Sequence, residues 1–293
     1  MNDSAHLCTY LIILGTCVFS YLGFKSRAVE EKYIFNPENI LAWKEYHRLV
    51  TSGFLHSGWN HLLLNMLSLY WVGGPIEMAF GKANFLLVYF GAIVGGNLLS
   101  LYVHRHHEYQ AYGASGGVCG VLFASILMFP GSRFPLYPIP IWVPGWVYGI
   151  GFMILSFYVM RGNKGNIGHD AHLGGAIVGF LIAAALHPEF VTYRPWVFVG
   201  ILVTSVLILI YLWVNPMFLP TFAFFSRGIR TGDRRPTRLR NQGGNLEIDS
   251  ILDKIAKKGM DSLTSDEKRA LSEVSGKYQR RAESKKPNSG LAI

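Results

Sequence analysis

Seven apolar segments, each about as long as a membrane is thick, run through the first three quarters of this chain. They lie near residues 5–24, 59–80, 83–103, 114–130, 139–160, 170–187 and 195–214. A helix needs about twenty apolar residues to cross the hydrocarbon layer of a bilayer. Hydrophobic residues make up 51% of the chain and charged residues only 15%, which excludes a single water-soluble domain. The sequence therefore predicts an all-α integral membrane protein, with six helices in a compact core and a seventh helix appended.

The chain divides into five expected regions. These are a six-helix core at 1–190, an additional transmembrane or interfacial segment at 191–225, an Arg-rich linker at 226–245, a small helical hairpin at 246–276 and a disordered tail at 277–293. The hairpin is indicated by the stop signal at Gly259 and by the capping-box spacing of Thr264 and Glu267. We interpret the first apolar segment as a retained helix, because no basic residue precedes it.

The net charge of +9 is concentrated at the C-terminal end. Residues 226–293 hold 16 of the 27 Lys and Arg residues. A basic stretch that follows an apolar helix is typical of contact with anionic lipid headgroups. We therefore expect the lipid bilayer as a partner and no nucleic acid, with a tail that binds either a protein or anionic lipid.

Polar side chains are few within the apolar segments, and they stand at the start of every second one. His56, His61 and Asn65 mark the start of the second segment, Ser115 the start of the fourth, and His172 the start of the sixth. If each segment crosses the membrane once, these three helices are parallel and their first turns share one membrane face. Because polar groups inside a membrane cost free energy, each of them is a candidate functional residue.

Small residues predict which of these helices touch. They recur every four positions in the fourth and sixth segments, as Gly116, Gly120 and Ala124 in one and as Ala171, Gly175, Gly179 and Ala183 in the other. Such faces let two helix backbones approach closely in lipid. If these two faces pair, Ser115 comes near His172.

A serine beside a histidine is the minimum equipment for nucleophilic catalysis. The imidazole takes the hydroxyl proton during attack on a carbonyl and returns it to the leaving amine. His61 and Asn65, one helical turn apart, and the backbone N–H of Ser115 are candidate donors to the oxyanion that forms. In the alternative interpretation, His61 and Asn65 only bond between helices, and Ser115 bonds back to its own helix.

Together these residues carry a family resemblance. The set His56-x4-His61-x3-Asn65, then Gly113-x-Ser115-Gly116, then Ala171-His172-x2-Gly175-x3-Gly179 resembles the rhomboid intramembrane serine proteases, and the similarity covers roughly residues 40–190. The resemblance implies a rhomboid-like six-helix bundle that needs no cofactor or metal. It implies a Ser-His dyad, with Ser115 as nucleophile, His172 as general base, and His61 and Asn65 at the oxyanion. Supporting positions are His56, Gly113, Gly116, Gly175, Gly179 and Cys119.

The same resemblance implies cleavage of transmembrane segments of partner membrane proteins. Arg48 and Glu77 resemble structural positions of the family, although an interfacial arginine and a helix-end carboxylate also explain them. Cys119 stands where many relatives place a tyrosine that stacks on the catalytic imidazole, so His172 must be oriented by another group or less rigidly. We expect Asp170 to cap its helix and not to complete a catalytic triad with Ser115 and His172.

Three other functions are alternatives to this one, and a purely structural, transporter-like bundle is the one that leaves the shared depth of the polar residues unexplained. Metal chemistry has candidate ligands in His169-x2-His172 and in His104, His106 and His107, but the chain has no His-Glu-x-x-His motif. From a different class comes a catalytically silent rhomboid-like scaffold that binds transmembrane helices without cutting them.

The charge pattern and the resemblance disagree about orientation. With seven crossings, the basic residues of the first, third and fifth loops and of the tail all lie on the side of Ser115, which the positive-inside rule makes cytoplasmic. Resemblance to bacterial relatives places that side outside, and a last segment that turns back would remove much of the conflict. We expect an integral multi-pass protein of a bacterial inner membrane.

Overall fold

The structure is a computed structural model, and it describes residues 6–106, 108–129, 131–135, 141–162 and 168–215. In the tail it describes 251, 254–255, 262–269 and 271–272. The helices are α1 (Leu7–Lys25), α2 (Arg27–Tyr33), α3 (Pro37–Ala42), α4 (Arg48–Thr51), α5 (Trp59–Phe80), α6 (Lys82–His104), α7 (Ser115–Met128), α8 (Gly145–Gly162), α9 (His169–Leu186), α10 (Pro188–Tyr193) and α11 (Pro195–Val214). Two short strands, β1 (Arg133–Pro135) and β2 (Trp142–Pro144), pair antiparallel. The chain forms two compact units, Met1–Arg227 and Gly228–Ile293.

The first unit is an all-α membrane bundle, as predicted. Helices α1, α6, α9 and α11 are long and apolar enough to cross a membrane, and α7 is an apolar helix of only 14 residues. The fifth apolar segment begins later than expected, because residues 142–144 pair with β1 instead of starting a helix. Pro144 favours an extended conformation at the residue before it, so the helix starts only at Gly145.

Helices α7 and α9 cross with their backbones in near contact. A Cβ placed on Gly175 would overlap the carbonyl oxygen of Gly116, and a Cβ on Gly179 would overlap the Cα of Gly120. No residue larger than glycine fits at these crossing points without moving the helices apart. The predicted pairing of the two small-residue faces is therefore confirmed.

The first loop, residues 26–58 between α1 and α5, is organised around a buried arginine. The side chain of Arg48 donates to the carbonyl oxygens of Ile34 at 2.7 Å and Glu31 at 2.9 Å. Its Nε lies 2.6 Å from the carboxylate of Glu45. Only 3% of Arg48 is exposed, so its guanidinium binds groups of the protein itself. Burial raises the pKa of Glu45, but the hydrogen bonds from Arg48 and Asn39 outweigh it and leave the pKa below its ordinary value.

Glu77 ties α5 to the start of α1. Its carboxylate accepts hydrogen bonds from the backbone N–H groups of Cys8 and Thr9 and from the Thr9 hydroxyl, each at 2.8 Å. These N–H groups belong to the first turn of α1, which has no partners for them within the helix. A negative charge at this end of a helix is also favoured by its dipole. Glu77 is thus a cap for a neighbouring helix and not only a helix-end carboxylate.

Helix α11 runs beside α8 along its whole length. The rings of Trp146 and Trp196 lie 5.4 Å apart near the start of both helices. Near their ends, the guanidinium of Arg161 lies 5.3 Å from the ring centre of Tyr211. The two helices are therefore parallel, and residues 195–214 do not turn back.

The second unit is described only in part. The backbone N–H of Thr264 donates to the Glu267 carboxylate at 2.7 Å, and the N–H of Glu267 donates to the Thr264 hydroxyl at 3.3 Å. The predicted capping box is therefore confirmed. Lys254 forms an ion pair with Glu267 at 2.8 Å. The Arg-rich linker, Gly259, most of the predicted hairpin and the segment 277–293 lie outside the described residues.

Candidate active site

The chain reaches Ser115 through a short irregular segment whose backbone is satisfied by protein groups. Gly113 has φ of +136°, a conformation that glycine adopts more readily than other residues. Its N–H donates to the carbonyl oxygen of Ser52 at 3.1 Å, and the N–H of Ala114 donates to Nε2 of His56 at 3.3 Å. Irregular backbone is tolerated at membrane depth only when its polar groups have such partners. The segment thus presents Ser115 as the first residue of α7.

His56 links this segment to α1. Because Nε2 accepts from Ala114, the proton of a neutral His56 is on Nδ1, which lies 2.9 Å from the hydroxyl oxygen of Ser20. The Ser20 hydroxyl in turn donates to the carbonyl oxygen of Phe54 at 2.8 Å. Ser20 was missed by reasoning from the sequence, although a polar residue inside the first apolar segment is itself a signal.

His61 and Ser115 face the same side of Gly113. A Cβ on Gly113 would lie 3.0 Å from Nε2 of His61 and 3.6 Å from Oγ of Ser115. The other ring nitrogen of His61, Nδ1, lies 3.0 Å from the Ser57 hydroxyl. Asn65 is buried one turn further along α5, and its Nδ2 donates to the carbonyl oxygen of His61 at 2.9 Å. One of the two amide protons of Asn65 is thus used within its own helix.

The contact between α7 and α9 lies next to Ser115 and His172. A Cβ on Gly116 would lie 3.3 Å from the carbonyl oxygen of Ala171, and a Cβ on Gly175 would meet the backbone of Gly116. Ser115 precedes Gly116, and His172 follows Ala171. The structure therefore brings together the helix turns that carry the two residues, and both side chains are only partly buried.

The aromatic neighbour of His172 comes from α8. The ring centroid of Phe152 lies 6.4 Å from that of His172, with 30° between the ring planes. Cys119 is buried in α7 and carries a free thiol. Phe152 was missed by the sequence reasoning, because α8 carries no motif that sets one of its aromatic residues apart.

A second histidine of α9 lies near His172. The ring of His169 lies 5.7 Å from that of His172, at 75°. Among the described residues, no group of three or more His, Cys, Asp or Glu side chains is arranged to hold a metal ion. Asp170 had been expected to cap α9, but this prediction is wrong, because the cap position is Gly168. Its carboxylate instead lies 3.0 Å from Nε2 of His104.

Comparison with known proteins identifies the family. The family model of the Rhomboid domain matches residues 43–189, and residues 241–277 match a family of unknown function (DUF6576). The chain is 32% identical over 152 residues to rhomboid protease GluP of Bacillus subtilis, a match that covers 50% of this chain and 27% of that protein. It is 33% identical over 147 residues to putative rhomboid protease YdcA of the same organism, covering 47% and 66%.

A plant relative is similar to a longer part of the chain. RHOMBOID-like protein 12, mitochondrial, of Arabidopsis thaliana is 29% identical over 201 residues, covering 60% of this chain and 57% of that protein. The chain thus spans between 27% and 66% of the length of these relatives. The Rhomboid match covers half of the chain and includes all three segments that carry the polar residues described above. The protein is therefore an integral membrane member of the rhomboid family of intramembrane proteases.

Proposed function

We propose that this protein is an intramembrane serine endopeptidase that cleaves transmembrane segments of partner membrane proteins. Ser115 is the nucleophile and His172 the general base. The observation that carries the proposal is the contact of Gly116 with Ala171 and Gly175, because these residues adjoin the serine and the histidine. Membership of the rhomboid family supports the same reaction class.

The reaction proceeds by acyl transfer. His172 accepts the hydroxyl proton of Ser115 as Oγ attacks the carbonyl carbon of the scissile peptide bond. His172 then donates this proton to the leaving amine, and the C–N bond breaks to leave an acyl-enzyme. A water molecule, with His172 again as base, hydrolyses the ester and restores the serine.

His61, Asn65 and the first turn of α7 stabilise the oxyanion in this proposal. When Nδ1 of His61 accepts from the Ser57 hydroxyl, its Nε2 carries the proton and faces the side of Gly113 on which Ser115 lies. Asn65 retains one amide proton for the same purpose. Donors that are already held in place stabilise the developing charge without reorganisation.

The length of α7 supports cleavage within the membrane. A helix of 14 residues is about 21 Å long, whereas the hydrocarbon layer is about 30 Å thick. One end of α7 therefore lies below the membrane surface. The end at Ser115 carries the polar groups and the irregular backbone, which are the features that need a cavity inside the protein.

Each region of the chain has its own role in this proposal. Residues 1–190 form the catalytic core and 191–225 the additional segment. The linker 226–245 and the hairpin 246–276 bind a protein or anionic lipid, and 277–293 form a tail. The protein resides in a bacterial inner membrane.

Cleavage by purified protein tests the proposal. Detergent-solubilised wild type is incubated with a generic transmembrane substrate that has small residues near one end of its helix. Ser115→Ala and His172→Ala are each expected to lower kcat by at least about 1,000-fold, as for other serine hydrolases that lose one of these groups. Ser125→Ala is the matched control, because it removes a hydroxyl from the same helix more than two turns away from the contact with Ala171.

Three outcomes contradict the proposal. If Ser115→Ala still cleaves at the wild-type rate, the serine is not the nucleophile. If wild type binds the substrate but no form cuts it, the protein is a silent scaffold for transmembrane helices. Loss of activity in the presence of a chelator would instead indicate metal chemistry.

A further inference from the structure

A buried cluster joins α9 to the segment that leads to Ser115, and it is distinct from the proposed catalytic groups. Its members are Asp170 in the first turn of α9, His104 at the end of α6 and Tyr109 in the segment after α6. Asp170 is only 3% exposed, and Oδ2 of its carboxylate lies 3.0 Å from Nε2 of His104. Charged side chains are rarely buried to this extent without a partner, and this pair supplies one.

Tyr109 packs against both other members of the cluster. Its ring lies flat on that of His104, with centroids 3.5 Å apart and 4° between the planes. Its hydroxyl and Oδ1 of Asp170 both lie against Gly168, at 3.4 Å and 3.6 Å from the position of a Cβ there. Burial, and then the charge of Asp170, raise the pKa of Tyr109 above its ordinary range. The phenol therefore stays protonated as a hydrogen-bond donor.

The segment that contains Tyr109 is fixed to the first loop as well. Phe35 and Ala111 exchange backbone hydrogen bonds of 3.0 Å and 3.2 Å. Two residues further on, Gly113 is bonded to the loop through its N–H. The path from Tyr109 to Ser115 is thus held on one side by the first loop and on the other by the His104 and Asp170 pair.

We propose that Asp170, through His104 and Tyr109, is a positioning residue that fixes the His172 turn of α9 relative to the segment carrying Ser115. The inference rests on the proposed function. Asp170 lies two residues before His172 and reaches Tyr109, which lies six residues before Ser115. Loosening either end changes the distance between nucleophile and base, and a displacement of about 1 Å can reduce a rate by about 100-fold.

Three conservative variants of full-length protein test this role. Asp170→Asn keeps the shape and removes the charge, His104→Gln removes the ring, and Tyr109→Phe removes only the hydroxyl. Glu189→Gln is the matched control, because Glu189 pairs with His187 at 2.9 Å beyond the opposite end of α9. Each protein is assayed for kcat and KM on the same transmembrane substrate and for hydrogen exchange of the peptide spanning 109–114.

The expected result is a selective loss in kcat. Asp170→Asn and His104→Gln each lower kcat by about 10- to 100-fold with KM changed less than about twofold, and the double variant is no worse than the stronger single one. Tyr109→Phe shows a smaller loss, and Glu189→Gln shows none. The rate of hydrogen exchange of the 109–114 peptide rises in Asp170→Asn, because the segment moves more and the hydrogen bonds of Ala111 and Gly113 to the first loop open more often.

Other results overturn the inference in a way that separates it from the proposed function. An unchanged kcat in Asp170→Asn and His104→Gln, with an active wild type, contradicts the positioning role alone. Equal losses in Glu189→Gln contradict it too, since they indicate a general effect on folding. An inactive wild type contradicts the proposed function. In that case hydrogen exchange tests the inference by itself. If the exchange rate of the 109–114 peptide is the same in Asp170→Asn as in wild type, the link between α9 and this segment is rejected.

Discussion

At the scale of single residues, the backbone conformation of Gly113 sets the geometry of the site. Its φ of +136° is costly for residues with a Cβ, and a Cβ there would lie 2.9 Å from the His61 ring. Glycine at this position lets the imidazole and the hydroxyl of Ser115 lie against the same stretch of backbone. A residue with a Cβ at position 113 would therefore suffer both backbone strain and a steric conflict with the His61 ring.

Gly113→Ala is expected to lower kcat/KM by at least about 100-fold, because the new methyl group displaces His61 or the segment before Ser115. Cleavage of the transmembrane substrate measures the effect. Gly58→Ala is the control, since Gly58 precedes α5, has an extended backbone and has nothing within 4 Å of its Cβ position. An active Gly113→Ala enzyme would show that His61 need not approach this backbone.

At the scale of helices, the closeness of α7 and α9 depends on glycine. The carbonyl oxygen of Gly116 occupies the space that a Cβ on Gly175 would need. Backbone atoms cannot rotate away as a side chain can, so a methyl group must push the helices apart. This contact determines both stability and the separation of Ser115 from His172.

We expect Gly175→Ala to destabilise the folded protein by about 1–3 kcal/mol, as overpacking does elsewhere, and to abolish cleavage. Thermal unfolding in detergent measures the first effect. Gly15→Ala, in α1, is the matched control, because nothing lies within 4 Å of its Cβ position. That change is expected to leave stability equal or slightly higher, since alanine favours helix over glycine. Equal behaviour of the two variants would contradict the close packing of α7 on α9.

What the sequence predicts at this scale follows from periodicity. The apolar segments and the four-residue spacing of Gly175 and Gly179 predict the helices and their pairing, because both depend on local rules. The partners of His61, His56 and Asp170 come from distant parts of the chain, and no spacing encodes them. The strand at Trp142–Pro144 was also missed, since Trp142 and Val143 are as apolar as the helix that follows.

At the scale of the whole first unit, α11 places the end of the described bundle on the same side as Ser115. Its contacts with α8 at Trp196 and Tyr211 show that it runs the full length of a neighbouring helix. Residue 215 therefore emerges at the face to which the first loop belongs. The first loop and the end of the described bundle at residue 215 therefore lie on one side of the membrane.

Labelling from one side of the membrane tests this arrangement. Single cysteines replace Arg27 in the first loop, Gly131 before β1 and Asn215 after α11, in a chain without its native cysteines. We expect a membrane-impermeant maleimide to modify positions 27 and 215 from the same side and position 131 from the other. Modification of 131 and 215 together would contradict a full crossing by α11.

The claim that Ser115 is a nucleophile activated by His172 is tested most directly by covalent labelling. A fluorophosphonate probe forms a bond to a serine oxygen only when that oxygen is activated, and mass spectrometry identifies the modified residue. We predict modification of Ser115 in the wild type and its loss in His172→Ala, with Ser125 unmodified in both. Equal labelling of Ser115 in His172→Ala, or labelling of another serine in its place, would contradict the account.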